Sequence, residues 1–576
     1  MIEHYQAAWD ELTAPGAQFA MKEIEVRGVP IRVFEQAPPH MRFVWELAAL
    51  YADRDYIVFE DERVTYGEAD RIIKALAHHL ADAHGVGSGD RVAVAMRNYP
   101  EWVLSYWAIV SLGAACVGMN AWWTSDEMAY GLRDSRPKVL IADGERVERV
   151  LPVLDDLRHG DEGQPLHVMA VRYDGDLPDD ASRWAEVVDP DNAPDSLPDA
   201  DIDPDDDACI FYTSGTTGFP KGAQLTNRGS VHNLVDLAFM NTAAAMAAAK
   251  AAAAAGEEPA AADEPAQNVF MAPTPLFHVT ANNCLLHPAT LTGSKLVLTY
   301  KWDAARAIEL IEREGVTNFS GVPTMSREML LHPDWETRDT STLRGMGGGG
   351  APVQPDLVDK IDKSLSQGVP STGYGLTETH GIVTANSGSL YVEKPASCGR
   401  VVPCLDAKLV DEMGQEVTGP DARGELAVRG AVVIKGYLNR PEATADAIVD
   451  GWFHTGDIAT IDEDGFVFIV DRAKDMVLRG GENVYCSEVE AAIYEHPAVA
   501  EAAVFGVPDD RLGELVAAAI VLTPDTGLTQ QELTEFLAEK LAKFKIPEKV
   551  WFLDEQLPRN ANGKFLKREL RETLTA

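Results

Sequence analysis

Cysteine is sparse in this chain, paired-cysteine motifs are missing, and basic residues are in short supply. The six cysteines (Cys116, Cys209, Cys284, Cys398, Cys404 and Cys486) are scattered and form no CxxC pair, so neither a zinc site nor a disulfide framework is expected. A reducing, cytoplasmic setting fits that usage. Only 50 lysines and arginines stand against 91 aspartates and glutamates, for a net charge of −41, which argues against partners such as nucleic acid or an anionic membrane. A halophilic source and a merely soluble protein would both carry this excess. Any phosphate ligand would need local cations that outweigh the overall field. The opening MIEHYQAAWDEL has early acids and no apolar core of a signal peptide. A Walker A loop is also missing, because Lys221 lies between Pro220 and Gly222.

One apolar stretch, Trp102 to Trp123, approaches membrane-span length. Gly113 and Gly118 interrupt it, and Asn120 sits among its tryptophans. It reads as a buried helix, a glycine stop and a buried strand, and no transmembrane segment is expected.

What is present points to a large α/β protein. With 576 residues, of which 46% are hydrophobic and 8% aromatic, two or more packed units are expected. Short β-branched runs alternate with amphipathic patterns: RVAVAMR then YPEWVLSYWAIVSLG, and SKLVLTY, DAARAIELIEREG, VTNFSGVP. This is the sequence form of βαβ units in mostly parallel sheet. Residues 243–266 are Ala-rich, with strong helix propensity and no amphipathic face; they read as a surface insertion, with a lid or partner helix as the alternative. From about residue 405 short strands and turns dominate, and after Lys474 a compact α+β pattern follows. The expected domains are 1–471 and 472–576.

The segment Thr213-Ser-Gly-Thr-Thr-Gly-Phe-Pro-Lys-Gly222 follows the apolar run ACIFY. Small residues let backbone N–H groups approach phosphate oxygens, hydroxyls add donors and Lys221 adds charge. This motif resembles the phosphate loop of the adenylate-forming superfamily, which includes acyl-CoA synthetases, luciferases and peptide-synthetase adenylation domains. The resemblance runs in order over most of the chain: Gly348 to Pro352, Tyr374-Gly-Leu-Thr-Glu378, the TGD element ending at Asp457, Asp471-Arg-Ala-Lys-Asp475, Gly480-Gly-Glu-Asn483 and Pro558 to Lys564.

The resemblance implies a large N-terminal α/β domain of parallel sheets with a β-rich subdomain, and a small mobile α+β domain hinged near Lys474. It places ATP or AMP against Thr213, Ser214, Gly215, Thr216, Thr217, Lys221, Gly349, Gly350, Ala351, Thr372, Gly373, Tyr374, Thr377, Asp457, Arg472, Lys474 and Lys564. Glu378 is the implied Mg²⁺ ligand, a hard oxygen for a hard cation. Lys564 would bridge the substrate carboxylate and the α-phosphate, because two anions must be brought together. His278 would sit beside the acid, and Gly480, Gly481 and Glu482 would lie near coenzyme A. The locally basic run Lys540 to Lys549 is either a receiver of CoA phosphates or a solvated helix end.

The implied activity is an ATP-dependent acid:CoA ligase that forms acyl-AMP and then acyl-CoA, with a medium- or long-chain fatty acid as substrate. The segments Val279 to Leu286 and Phe319 to Met325 would line the acid pocket. Alternatives are an aryl or other organic acid, transfer to a carrier protein, and a non-catalytic nucleotide binder. A homodimer is a family-level expectation only.

Overall fold

The computed structural model describes residues 1–575 apart from 161–162, 214–219, 257–266, 352, 354, 367, 420–421, 473–474, 480–481, 510 and 561–562. Local signals set its elements. Pro100 opens the helix Pro100–Ser111, and Gly113 ends the turn after it in a left-handed conformation (φ 71°). Strand Ala115–Gly118 follows, buried throughout. The apolar run read as helix, stop and strand is therefore interior to the fold. Asp303 caps helix Ala304–Glu314 through Arg306 N, and Gly315 closes it.

Among the described residues the strands form two large sheets and two small ones. One large sheet has parallel strands Ala115–Gly118, Arg91–Ala95, Val139–Asp143 and His167–Val171, with the hairpin Asp207–Thr213 and Lys221–Thr226 at its edge. The other has a parallel half that includes Val269–Ala272, Asn318–Gly321, Gly345–Gly349 and Val369–Tyr374. It continues without a break into antiparallel strands Thr384–Ser387, Gly399–Val401, Phe466–Arg472 and Trp452–Ile461. Strand direction changes between Val369–Tyr374 and Thr384–Ser387, before the change of texture near residue 405, which falls within the antiparallel half of the same sheet. After Arg472, a separate five-stranded sheet spans residues 477–553.

The described part of the Ala-rich segment, residues 243–256, differs from the surface insertion expected of it, while 257–266 lie outside the described residues. Helix Asn227–Ala254 runs straight through residue 243, capped at its start by Thr226 Oγ1, which accepts from Gly229 N at 3.0 Å. Ala243 and Ala247 are fully buried, and the N-terminal helix Ile2–Thr13 packs alongside. Lys250 pairs with Glu11 at 2.8 Å. An alanine stripe packs closely against a neighbour yet gives almost no hydropathy contrast, so periodicity could not find it. Helix Asn227–Ala254 is also long and apolar enough by composition to cross a membrane.

Asp236, on this helix, is fully buried and accepts from Cys404 Sγ at 2.6 Å. Burial pushes its carboxyl up to about 7. An acid that ionises less readily when folded loses stability for the fold as pH rises from the ordinary carboxylate range towards 7. Asp236→Asn should therefore raise the unfolding temperature at pH 8, by a stabilisation on the order of 2–4 kcal/mol, and change little near pH 4. Thermal denaturation at the two pH values checks this.

Candidate active site

Strand Val369–Tyr374 ends in a tight turn that carries Thr377 and Glu378. Leu376 N donates to Thr379 Oγ1 (3.0 Å), and buried His380, in the left-handed region, pairs through Nδ1 with Val432 O at 2.7 Å. The turn is thus held at both ends. The Glu378 carboxylate accepts from Tyr437 OH at 2.8 Å, and Lys221 Nζ stands 4.6 Å from the centre of that Tyr437 ring. Tyr437 brings the phosphate-loop lysine and the turn glutamate to one place. Sequence reasoning missed it, because its partner lies 59 positions away and spacing carries no signal over that range.

Beside the turn, the glycine strand Gly345–Gly349 presses on its neighbours. Gly348 has φ 149°, and a Cβ there would stand 1.6 Å from Gly321 O; at Gly349 a Cβ would meet Gly373 O at 2.3 Å. Thr372 Oγ1 donates to Gly348 O at 3.1 Å. Gly350 and Ala351 follow, and Gly348 to Gly350, Thr372, Gly373 and Thr377 all line one cavity of about 270 Å³.

Asp457 and Arg472 face each other across paired strands. Arg472 Nε donates to Asp457 Oδ1 at 3.1 Å, and Tyr374 OH donates to Oδ2 at 2.6 Å. Both oxygens of the buried Asp457 are engaged, and each keeps a lone pair for a further donor.

Lys564 enters from the small C-terminal unit on a tight turn: Asn560 N donates to Lys564 O (2.9 Å), Lys564 N to Asn560 Oδ1 (3.0 Å), and Gly563 takes φ 72°. Its side chain lines the same cavity as His278 and Thr377. Burial, then the Arg472 cation, lowers the Lys564 ammonium to about 8, while Asp457, Glu378 and Asp475 oppose the shift. Burial, with the Lys564 charge second, brings His278 down to about 3. His278 is therefore a neutral imidazole at physiological pH. Its Nε2 is buried with no hydrogen-bond partner among the described residues, so it is left to meet a ligand.

Both segments expected around the acid contribute to the cavity, through Val279, Thr280, Cys284 and Leu285 and through Phe319, Ser320 and Val322. Ser214, Gly215, Thr216, Thr217, Lys474, Gly480 and Gly481 lie outside the described residues; Thr213 ends its strand, and Glu482 begins strand Glu482–Val484. In the basic run, Lys540 pairs with Glu495 at 2.5 Å and Lys545 with Glu488 at 2.6 Å, which favours the solvated-helix-end reading for these two. Cys486 is buried, donates to Asp475 O at 3.0 Å and has its thiol pushed up by burial. It is a packing residue there.

Comparison with known proteins identifies the family. Residues 44–438 match the AMP-binding enzyme family, and 488–564 match the AMP-binding enzyme C-terminal domain. The chain belongs to the AMP-binding enzyme family, in its branch of AMP-forming acid–thiol ligases. It is 36% identical over 509 residues to a feruloyl-CoA synthase of an Amycolatopsis species, covering 88% of this chain and 93% of the relative. It is 34% identical over 526 residues to the long-chain-fatty-acid–CoA ligase FadD13 of Mycobacterium tuberculosis, covering 90% and 94%. Among solved structures, the ATP-bound MatB from Rhodopseudomonas palustris superposes with a TM-score of 0.77 at 28% identity, covering 93% of this chain and 99% of that one.

Proposed function

We propose that this acid:CoA ligase activates an elongated, largely apolar carboxylic acid of the medium- or long-chain fatty class, with ATP, Mg²⁺ and coenzyme A. The observation that carries the reading is the single cavity shared by Lys564, Thr377, the glycine strand and a long apolar wall. The wall includes Leu237, Met240, Val279 and Leu285, while an acetate-sized acid would leave most of it bare. The domain boundary is assigned to 471/472, at the last residue of strand Phe466–Arg472, after which the small unit begins.

In the first half-reaction the substrate carboxylate attacks the α-phosphorus, the bond to the β-phosphate oxygen breaks, and pyrophosphate leaves. The carboxylate is already ionised, so no base is required. Lys564 neutralises the two approaching anions, and Thr377 donates to the α-phosphate. Lys221, with the phosphate loop Thr213 to Gly222, receives the β- and γ-phosphates. Asp457 accepts from the ribose hydroxyls with Arg472 beside it, and Tyr374 walls the adenine. Neutral His278 offers Nε2 to the acid. Glu378 fits a magnesium site as its one protein carboxylate: it is a hard oxygen donor held through Oε1 by Tyr437 OH, and no group of three acidic, His or Cys ligands occurs among the described residues. Such a site draws its other oxygens from substrate phosphates and water. Mg²⁺ would supply charge neutralisation on those phosphates. In the second half-reaction the CoA sulfur attacks the acyl carbon, AMP leaves, and the thiol proton passes to solvent. Gly480 to Glu482 are assigned to the CoA approach, after the small unit turns near Lys474. A cytoplasmic location follows from the cysteine usage.

The test is pyrophosphate release from ATP and Mg²⁺ across fatty and aromatic acids, with and without CoA. Stimulation by fatty acids and by CoA is expected. Stimulation by aromatic acids alone would move the substrate class, and indifference to CoA would move the acceptor to a carrier protein.

A pH dependence also follows. The Lys564 ammonium loses its proton near 8, and the cation is the form that neutralises charge. In the free enzyme, kcat/KM for adenylation should therefore fall about tenfold per pH unit above 8 and level off below it. A plot of log kcat/KM against pH checks this.

A further inference from the structure

The floor of the acid chamber is one row of residues in register across five strands. Gly349 pairs with Gly373, Gly373 with Ala385, Ala385 with Arg400, and Arg400 with Phe466. All five line the cavity. Residues directly opposite one another in a sheet share a face, so the row forms a trough with small residues near Lys564 and large ones at the far end. Its roof is helix Asn227–Ala254, whose Leu237, Met240, Asn241 and Ala244 line the cavity at the spacing of a single helical face. From Gly349 to Arg400 there are three inter-strand steps, about 14 Å.

What stands at the far end is a cation. Arg400 Nη1 donates to Gln6 Oε1 at 2.7 Å, and the guanidinium lies over Trp9 (4.8 Å) and Tyr5 (5.9 Å) of the N-terminal helix. No carboxylate of the described residues is within ion-pair distance of it, and its Nε and Nη2 make no hydrogen bond to them. In a chain with 91 acidic residues, a guanidinium left without a carboxylate at the end of a ligand chamber is a distinct feature. An unsubstituted alkyl chain would push a methyl group against it and remove its water without offering an acceptor. A distal oxygen would restore that loss, and a carboxylate would fit the guanidinium fork on two oxygens.

We propose that Arg400 is a specificity-determining residue that receives an oxygen at the far end of the acid, so that the preferred substrates are medium-length acids carrying a distal hydrogen-bond acceptor, in its strongest form a second carboxylate. An extended chain advances about 1.2 Å per bond, so the trough suits roughly ten to twelve bonds between the two oxygen-bearing ends. This rests on the adenylation reading above and sharpens its substrate class. The N-terminal helix becomes part of the site, since Tyr5 lines its end and Gln6 orients the guanidinium.

The experiment measures kcat/KM for pyrophosphate release with dodecanoic, 12-hydroxydodecanoic and dodecanedioic acids, in the wild type and in R400M and R400K. A ratio taken within one variant does not depend on the fraction that is folded. Wild type should prefer the diacid over the monoacid by about tenfold or more. R400M should reverse that order, and R400K should retain part of it. A wild-type preference for the monoacid, or a diacid-to-monoacid ratio that is the same in wild type and R400M, overturns the proposal. Release with the monoacid and none with the diacid leaves the ligase reading standing and removes this one. No release with any carboxylic acid removes both.

Discussion

Replacing Lys564 with alanine should lower pyrophosphate release by about 10²–10³-fold, the loss that accompanies removal of one preorganised donor from a site of developing charge. Lys564 is the group from the small unit that reaches the cavity shared with His278 and Thr377, and in the proposed scheme its charge acts in the adenylation step alone. Thioester formation from a supplied acyl-adenylate should therefore stay within about threefold of wild type, since the half-reactions divide transition-state contacts between them. Stopped single-turnover assays of the two steps separate these outcomes. Equal loss in both steps would mean that Lys564 acts on the placement of the small unit and not on the α-phosphate. Arginine at 564 keeps the charge but replaces a compact ammonium with a wide planar fork, and it should restore little.

The second large effect is expected at Glu378. Glu378→Gln keeps the size and the contact with Tyr437 OH, which stands 2.8 Å from the carboxylate, and removes the negative oxygen that a hard cation requires. Adenylation should fall by about 10²-fold or more, and the apparent Mg²⁺ requirement should shift to higher concentration. Titrating Mg²⁺ in the pyrophosphate assay checks both. Tyr437→Phe leaves the carboxylate charged but free to turn, so a milder loss of about three- to tenfold is expected, roughly the worth of one hydrogen bond. If Glu378→Gln leaves the Mg²⁺ dependence unchanged, the metal assignment at this residue is wrong.

Much of the site could be read directly because its pieces are local. The Thr377–Glu378 turn, the glycine strand, the Asp457 element and the Lys564 turn are each short runs in which backbone geometry and chemistry are set by adjacent residues. Helix and strand over the apolar run Trp102 to Trp123 were equally legible, since Pro100 and Gly113 act on their immediate neighbours. Tyr437, Arg400 and Phe466 were not legible. Each enters the site through a pairing with residues distant in sequence, and each side chain alone resembles any surface aromatic or arginine. The Ala-rich helix failed for a different reason: alanine buries well against a neighbour and still leaves no periodic contrast in hydropathy.

By itself, the sequence determined the α/β class, the order of the motifs and the identities of the charged groups that the fold gathers around Lys564. These depend on period, capping and residue chemistry, all of which act over a few positions. Only the tertiary structure decided that the parallel and antiparallel halves form one continuous sheet, that the N-terminal helix reaches one end of the cavity through Tyr5, and that Arg400, with no carboxylate partner among the described residues, stands there. Strand order and register are chosen by which surfaces can be buried together, a condition met by the whole chain at once and written in no single segment.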